Sequence, residues 1–236
     1  MNIYKIPLYY ISFKKQPQLE KHFRTIGFEN VNHHQAIDSR TYKPKKLLDN
    51  GIISIRSYDD LTGNRNSHSG LPTPGSIGCA LSQYTLWNKC IEENMPFIII
   101  AEDDVRISGI SKQLEQQIID TLSKPDSIFC GVKISQDDRL AGTQFYFISN
   151  SACKKLIQHM FPIDVQVDWY MSHLCNQKII NCNGTNFTYQ TKHKSSVQGK
   201  ICVKCILPDG LWFYILMAVI FLILLILSIC FILKIT

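Results

Sequence analysis

Residues Leu211 to Leu233 read LWFYILMAVIFLILLILSICFIL, 23 positions without one charged side chain. As a helix they reach about 35 Å, enough to cross a hydrocarbon core of about 30 Å with some tilt. A helix packed in a water-soluble core keeps a polar stripe, and this one has none. Trp212 and Tyr214 stand in its first turn, where amphipathic rings favour the membrane interface, and Pro208 and Gly210 punctuate the approach. One transmembrane helix is therefore expected at 211–233. Of the 236 residues, about 200 remain in front of it, enough to bury a single core without disulfide or metal staples.

Orientation follows from charge. Lys192, Lys194, Lys200 and Lys204 precede the span and only Lys234 follows it. Basic flanks stay on the cytoplasmic side, so the large N-terminal part is expected in the cytoplasm, held by a C-terminal anchor in a tail-anchored arrangement. The opening MNIYKIPLYYISF lacks a basic stretch followed by an unbroken apolar run, so it reads as a strand rather than a signal peptide. The sequons at Asn183 and Asn186 point the other way, because they matter only in a lumen. The net charge of +6 gathers in two places, around Lys43, Lys45 and Lys46 and in the lysines before the span. Neither place has interleaved aromatics or a nucleic-acid motif, so nucleic acid is not expected as a partner. The second place suits anionic lipid.

The nine cysteines divide. Cys79, Cys130 and Cys230 stand at apolar positions and read as small core or membrane residues. Cys175, Cys182, Cys202 and Cys205 cluster before the span and read as free thiols of a reducing compartment. The single CxxC of Cys202 and Cys205 argues weakly for zinc, since Cys175 and Cys182 are seven apart. Palmitoylation of Cys202 or Cys205 fits their place beside the membrane.

Along the rest of the chain, apolar runs alternate with helical spacing. Strands are expected at 3–13, 31–37, 97–101, 127–134 and 144–148, and helices at 16–26, 77–92, 112–122 and 151–160. Residues 39–76 are polar and rich in Gly, Pro, Asn and Ser, which reads as a long loop, either functional or partly disordered. Alternation of this kind predicts an α/β domain with a mainly parallel sheet, whose ligands bind beyond the carboxyl ends of the strands.

The apolar strand FIIIA runs into Glu102-Asp103-Asp104-Val105. Acids at the end of a buried strand are unfavourable unless solvated or bound to something. Residues i and i+2 of an extended chain point the same way, so Glu102 and Asp104 present two carboxylates on one side. That pair suits a hard divalent cation. The competing reading is an acidic turn capping the next helix. Two further acid pairs, Asp59-Asp60 and Asp137-Asp138, follow no such strand and read as solvated loops.

Four ordered segments resemble glycosyltransferase family 25, which includes lipooligosaccharide and collagen galactosyltransferases. They are YYISFKKQPQLEKHFRTIGFENVNHHQAID; Gly75 to Ser82 (GSIGCALS) followed by Leu86-Trp87; FIIIAEDDV; and FYFISNSACKKLI with PIDVQVDWY. The resemblance runs from about residue 3 to residue 175. It implies a GT-A-like fold, a nucleotide-sugar donor such as a UDP-hexose, Mn²⁺ or Mg²⁺, and inversion at the anomeric carbon. It implies that Glu102 and Asp104 hold the metal and that Asp103, Gly75, Gly78 and Ser82 serve the donor. Asp168 would be the general base or an acceptor contact, or else a structural carboxylate before Trp169-Tyr170. The sequence departs from the family pattern in three places. Lys14, Lys15 and Lys21 stand near its arginine pair, Gln83 replaces a histidine, and Ser76 replaces an acid. The expected organisation is a glycosyltransferase-like domain at 1–188, a basic juxtamembrane linker at 189–210 and the span at 211–233. The expected function is transfer of a hexose, possible donor galactose, to a glycan, lipid or protein acceptor. The alternative is a catalytically inactive descendant that binds or assembles.

Overall fold

The computed structural model describes residues 1–64, 70–133 and 142–191. They belong to one compact unit, Met1–Gln198. The expected span at 211–233, the lysines and cysteines from 192 onward, and Asp137-Asp138 lie outside the described residues. Among the described residues no helix is long and apolar enough to cross a membrane.

After a single 3-10 turn at Ile3–Lys5, the elements run β1 (Leu8–Ser12), α1 (Pro17–Ile26), β2 (Val31–Gln35), α2 (Pro44–Asp49), α3 (Ile55–Thr62), α4 (Pro74–Glu92), β3 (Phe97–Glu102) and β4 (Val105–Ile107). Then come α5 (Lys112–Leu122), β5 (Ser127–Cys130), β6 (Phe145–Ser149), α6 (Asn150–His159), α7 (Val167–Asn176), β7 (Asn181–Gly184) and β8 (Thr188–Gln190). Local chemistry sets many of the boundaries. Pro17, Pro44 and Pro74 occupy first-turn positions, where a missing N–H leaves no bond unmade. Ser54, Ser111 and Ser149 cap α3, α5 and α6 by accepting from backbone N–H groups three residues on. Gly27, at φ +118°, ends α1 in the left-handed region that glycine enters without strain.

The main sheet has the order β2-β1-β3-β6-β5-β7, and β4 and β8 form a separate two-stranded ribbon. β1 is parallel to both neighbours, with Leu8 beside Val31 on one side and Ile99 on the other. Strand alternation divides the core in two. Tyr9, Ile98, Ile100, Ile128, Tyr146 and Ile148 face α4, α6 and α7. Leu8, Tyr10, Ile99, Phe129, Phe145 and Phe147 face α1 and α5. The result is three layers, helix–sheet–helix, as a sheet apolar on both faces requires.

The sheet is mainly parallel as expected, but β6 runs antiparallel to both β3 and β5. Antiparallel neighbours need no crossover helix, so β6 can enter between strands already in place. The expected long loop at 39–76 holds α2 and α3, and Asp59 and Asp60 therefore lie on a helix rather than in a solvated loop. The Asp60 carboxylate accepts from Leu71 N–H at 3.3 Å. The acidic turn caps no helix, because β4 follows it. Cys175 and Cys182 are not free thiols: the end of α7 and the edge strand β7 bring their Cα atoms to 5.7 Å and they form a disulfide. Cys90, Cys130 and Cys153 are free and buried, and Cys79 is free and half-buried.

Candidate functional site

The chain leaves β1 first toward β2 on one side and later toward β3 on the other. The order of strands therefore reverses at β1, and a crevice opens beyond the carboxyl ends of β1 and β3. Ser12 lies beside Gln35, and Ile11 beside Glu102, so all three strands end along the same edge. A cavity of about 480 Å³ occupies that crevice. Its walls are Ile11 to Phe13 after β1, Ala36 to Arg40 after β2, Gly75, Gly78, Cys79 and Ser82 on α4, and Glu102 to Asp104 after β3.

Glu102 ends β3, Asp103 and Asp104 make the turn, and the chain then enters β4 against β8. Gln190 of β8 places its amide Nε2 3.5 Å from Glu102 Oε2 and 3.4 Å from Asp104 Oδ1. The two carboxylates thus converge on one donor. Asp103 points elsewhere, its Oδ2 accepting from Gln16 Nε2 at 3.1 Å. Thr191 N–H fixes the turn by donating to Asp104 O at 2.8 Å.

Burial pushes the Glu102 carboxyl up to about 7, and the neighbouring charges of Asp104, Asp168 and Asp103 push the same way. The Thr143 hydroxyl opposes them by donating to Glu102 Oε1 at 3.2 Å. Burial and the Glu102 charge also push the Cys79 thiol up. At the mouth, the Arg40 guanidinium beside Asp38 holds that carboxyl at about 2 through hydrogen bonds. Arg40 also lies 5.1 Å from the Phe13 ring centroid, within cation–π range.

Six of the sequence-derived site residues, Gly75, Gly78, Ser82, Glu102, Asp103 and Asp104, line this one cavity. Two of them are committed to the protein itself. A Cβ on Gly78 would meet Ile37 O and Ser39 Oγ, so glycine there serves packing of α4 against the chain after β2. Ser82 Oγ accepts from Ile37 N–H at 2.9 Å and donates to Gly78 O at 2.6 Å. Asp168 stands in the first turn of α7, near enough to the acids for its charge to raise Glu102. It does not line the cavity, and α7 borders a second one of about 450 Å³ with Trp169, Tyr170 and His173. Lys14, Lys15 and Lys21 are exposed and do not line the crevice; its basic residue is Arg40. The sequence reading missed Arg40, Thr143 and Gln190. It noted Gln83 only as a departure, yet Gln83 is fully buried and bonded toward the acids.

Among the described residues no group of three or more His, Cys, Asp or Glu side chains is placed to hold a metal ion. Two converging carboxylates suit Mg²⁺ or Mn²⁺, which keep waters and take substrate phosphate oxygens as the remaining ligands. Burial raises the Glu102 carboxyl first and the charges of Asp104, Asp168 and Asp103 add to it, a repulsion that a cation would relieve. In both respects the residues present fit a divalent cation.

The family model described as "Glycosyltransferase family 25 (LPS biosynthesis protein)" matches residues 6–134. A "Glycosyltransferase 25 family member" of Aedes aegypti is 26% identical over 201 residues, covering 74% of this chain and 32% of that protein. "Procollagen galactosyltransferase 2" of Homo sapiens is 30% identical over 80 residues, covering 34% of this chain and 13% of that protein. The "Probable inactive glycosyltransferase 25 family member 3" of Rattus norvegicus is 27% identical over 154 residues, covering 55% and 26%. The matched stretch is at most about a third of the length of these relatives.

Proposed function

The chain belongs to glycosyltransferase family 25, and from that premise we propose that it is a membrane-anchored, metal-dependent glycosyltransferase of GT-A type. It transfers a hexose, galactose being the first candidate, from a UDP-sugar to a glycan, lipid or protein acceptor with inversion. Convergence of Glu102 and Asp104, both lining the crevice, on the one Gln190 amide carries this reading. Mn²⁺ or Mg²⁺ held there would neutralise the donor diphosphate as it leaves. Arg40 supplies a fixed positive charge at the mouth, and Phe13 an apolar ring for the nucleotide. Asp168 is the proposed base. It takes the proton of the acceptor hydroxyl as that oxygen bonds to the anomeric carbon and the bond from that carbon to the diphosphate breaks. The apolar stretch 211–233 anchors the domain to a membrane; the lysines before it favour the cytoplasmic face, against which the Cys175–Cys182 disulfide speaks.

Two observations favour a second reading, a binding protein without catalysis. A relative named inactive shares 27% identity with the chain. Ser76, where the family commonly has an acid, is buried with its hydroxyl unpartnered. The test is the thermal midpoint of the full chain in detergent, with UDP and several UDP-sugars, with and without Mn²⁺. A ligand of the native state at a hundredfold excess over Kd stabilises by about 2.7 kcal/mol. The expected result is a rise that requires Mn²⁺ and vanishes in Asp104→Ala. No rise with any nucleotide sugar, in folded protein, rejects the enzyme reading in favour of the second.

A further inference from the structure

Five side chains form one hydrogen-bonded line from the core to the crevice. Trp87 Nε1 donates to the Tyr146 hydroxyl at 3.0 Å, which donates to Gln83 Oε1 at 2.7 Å. Gln83 Nε2 donates to Thr143 Oγ1 at 3.3 Å, and Thr143 donates to Glu102 Oε1 at 3.2 Å. Trp87, Gln83 and Tyr146 are fully buried, and Thr143 is 4% exposed.

The direction of this line is forced by its buried end. An indole nitrogen can only donate, so the Tyr146 oxygen accepts there and turns its single hydrogen toward Gln83. That hydrogen needs the carbonyl oxygen of the amide, which fixes the amide's orientation and turns its NH₂ toward Thr143. Thr143, receiving an N–H, keeps its own hydrogen for Glu102. Each link of the line therefore donates toward the carboxylate, while the Gln83 amide also donates to Cys79 Sγ at 3.7 Å. Folding requires that these buried groups be paired, an unpaired one being destabilising, but not that the line end on a carboxylate.

We propose that Gln83 is a positioning residue that acts through Thr143 to lock one oxygen of Glu102, so that the other is presented to a divalent cation in the crevice. The inference rests on the reading of Glu102 and Asp104 as cation ligands. Locking Oε1 leaves Oε2 facing Gln190 and Asp104 and removes the rotation that would let the carboxylate swing away. Groups that hold a ligating carboxylate in place typically change metal affinity 10- to 100-fold when removed. It also gives Gln83, a departure from the family pattern, a definite task at this site.

The test uses the full chain in detergent and titrates Mn²⁺ alone by calorimetry. The variants are Gln83→Met and Thr143→Val, each close to the native shape, and Thr143→Ser, which keeps the hydroxyl. Thermal midpoints are measured separately in chelator. Mn²⁺ affinity is expected to fall roughly 10- to 100-fold in Gln83→Met and in Thr143→Val. Thr143→Ser should bind nearly as wild type, and the double variant Gln83→Met with Thr143→Val little worse than either single one, because the two act along one line. Lower midpoints with unchanged Mn²⁺ affinity would make the line purely structural and overturn this inference alone. A folded wild type that binds neither Mn²⁺ nor Mg²⁺ would overturn the metal reading and this inference together.

Discussion

A side-chain carbon on Gly78 would lie 2.3 Å from the carbonyl oxygen of Ile37. No real contact is that short, so either α4 or the chain after β2 would have to move. Alanine normally improves a helix interior by about 1 kcal/mol over glycine. Here Gly78→Ala is expected to destabilise the protein by about 1–3 kcal/mol, as overpacking does. Urea denaturation decides the matter, and an unchanged or higher midpoint would show that the contact yields.

Glu102 gives the metal-free protein a pH dependence of definite sign. Its native carboxyl, at about 7, holds a proton above the ordinary carboxylate range that it has when unfolded. The native state therefore binds more protons across that window, and stability falls as pH rises through it. Glu102→Gln removes the effect. The variant's stability relative to wild type should rise between about pH 5 and about pH 8, read from urea midpoints in chelator. A flat difference would mean that Glu102 titrates normally.

Arg40 stands at the mouth of the crevice beside Asp38. Removing it takes away the positive charge there and leaves the Asp38 carboxylate facing an incoming diphosphate. A charge-assisted hydrogen bond contributes about 1.5–3 kcal/mol. Arg40→Ala should weaken UDP binding in the presence of Mn²⁺ by about tenfold or more, measured by calorimetry. An unchanged Kd would place the diphosphate elsewhere.

The Cys175–Cys182 disulfide closes a short loop between α7 and β7. For a loop of that size the chain-entropy estimate is about 2 kcal/mol. Reduction, or Cys182→Ser, should lower the thermal midpoint accordingly, whereas buried Cys90, Cys130 and Cys153 should resist alkylation until unfolding. Equal midpoints with and without reductant would show that the bridge contributes nothing to stability.

These features were unequally legible in the sequence. Glu102 and Asp104 could be placed because strand alternation is local, and FIIIA marks the strand unmistakably. α5 could be bounded for the same reason: Leu114, Ile118 and Leu122 recur at helical spacing. α2 and α3 are short and polar, so Pro44 and Ser54 mark their starts without an apolar stripe to confirm them. The direction of β6 is not written in its side chains at all; five buried residues read the same either way. Thr143 and Gln190 reach Glu102 from 41 and 88 positions away, and no local pattern announces such partners.

β6 lies between β3 and β5 although it comes after both in the chain. The match to the family model ends at residue 134, before β6 begins at Phe145. Until β6 is made, β3 and β5 each lack the neighbour that they have on that side in the finished sheet. Unpaired backbone edges of that kind recruit foreign strands. Only when residue 149 has been made can β6 take its place between them, and the crevice waits longer still, for Gln190. The vulnerable interval in this protein's biosynthesis thus runs from the end of β5 at Cys130 to the end of β6 at Ser149.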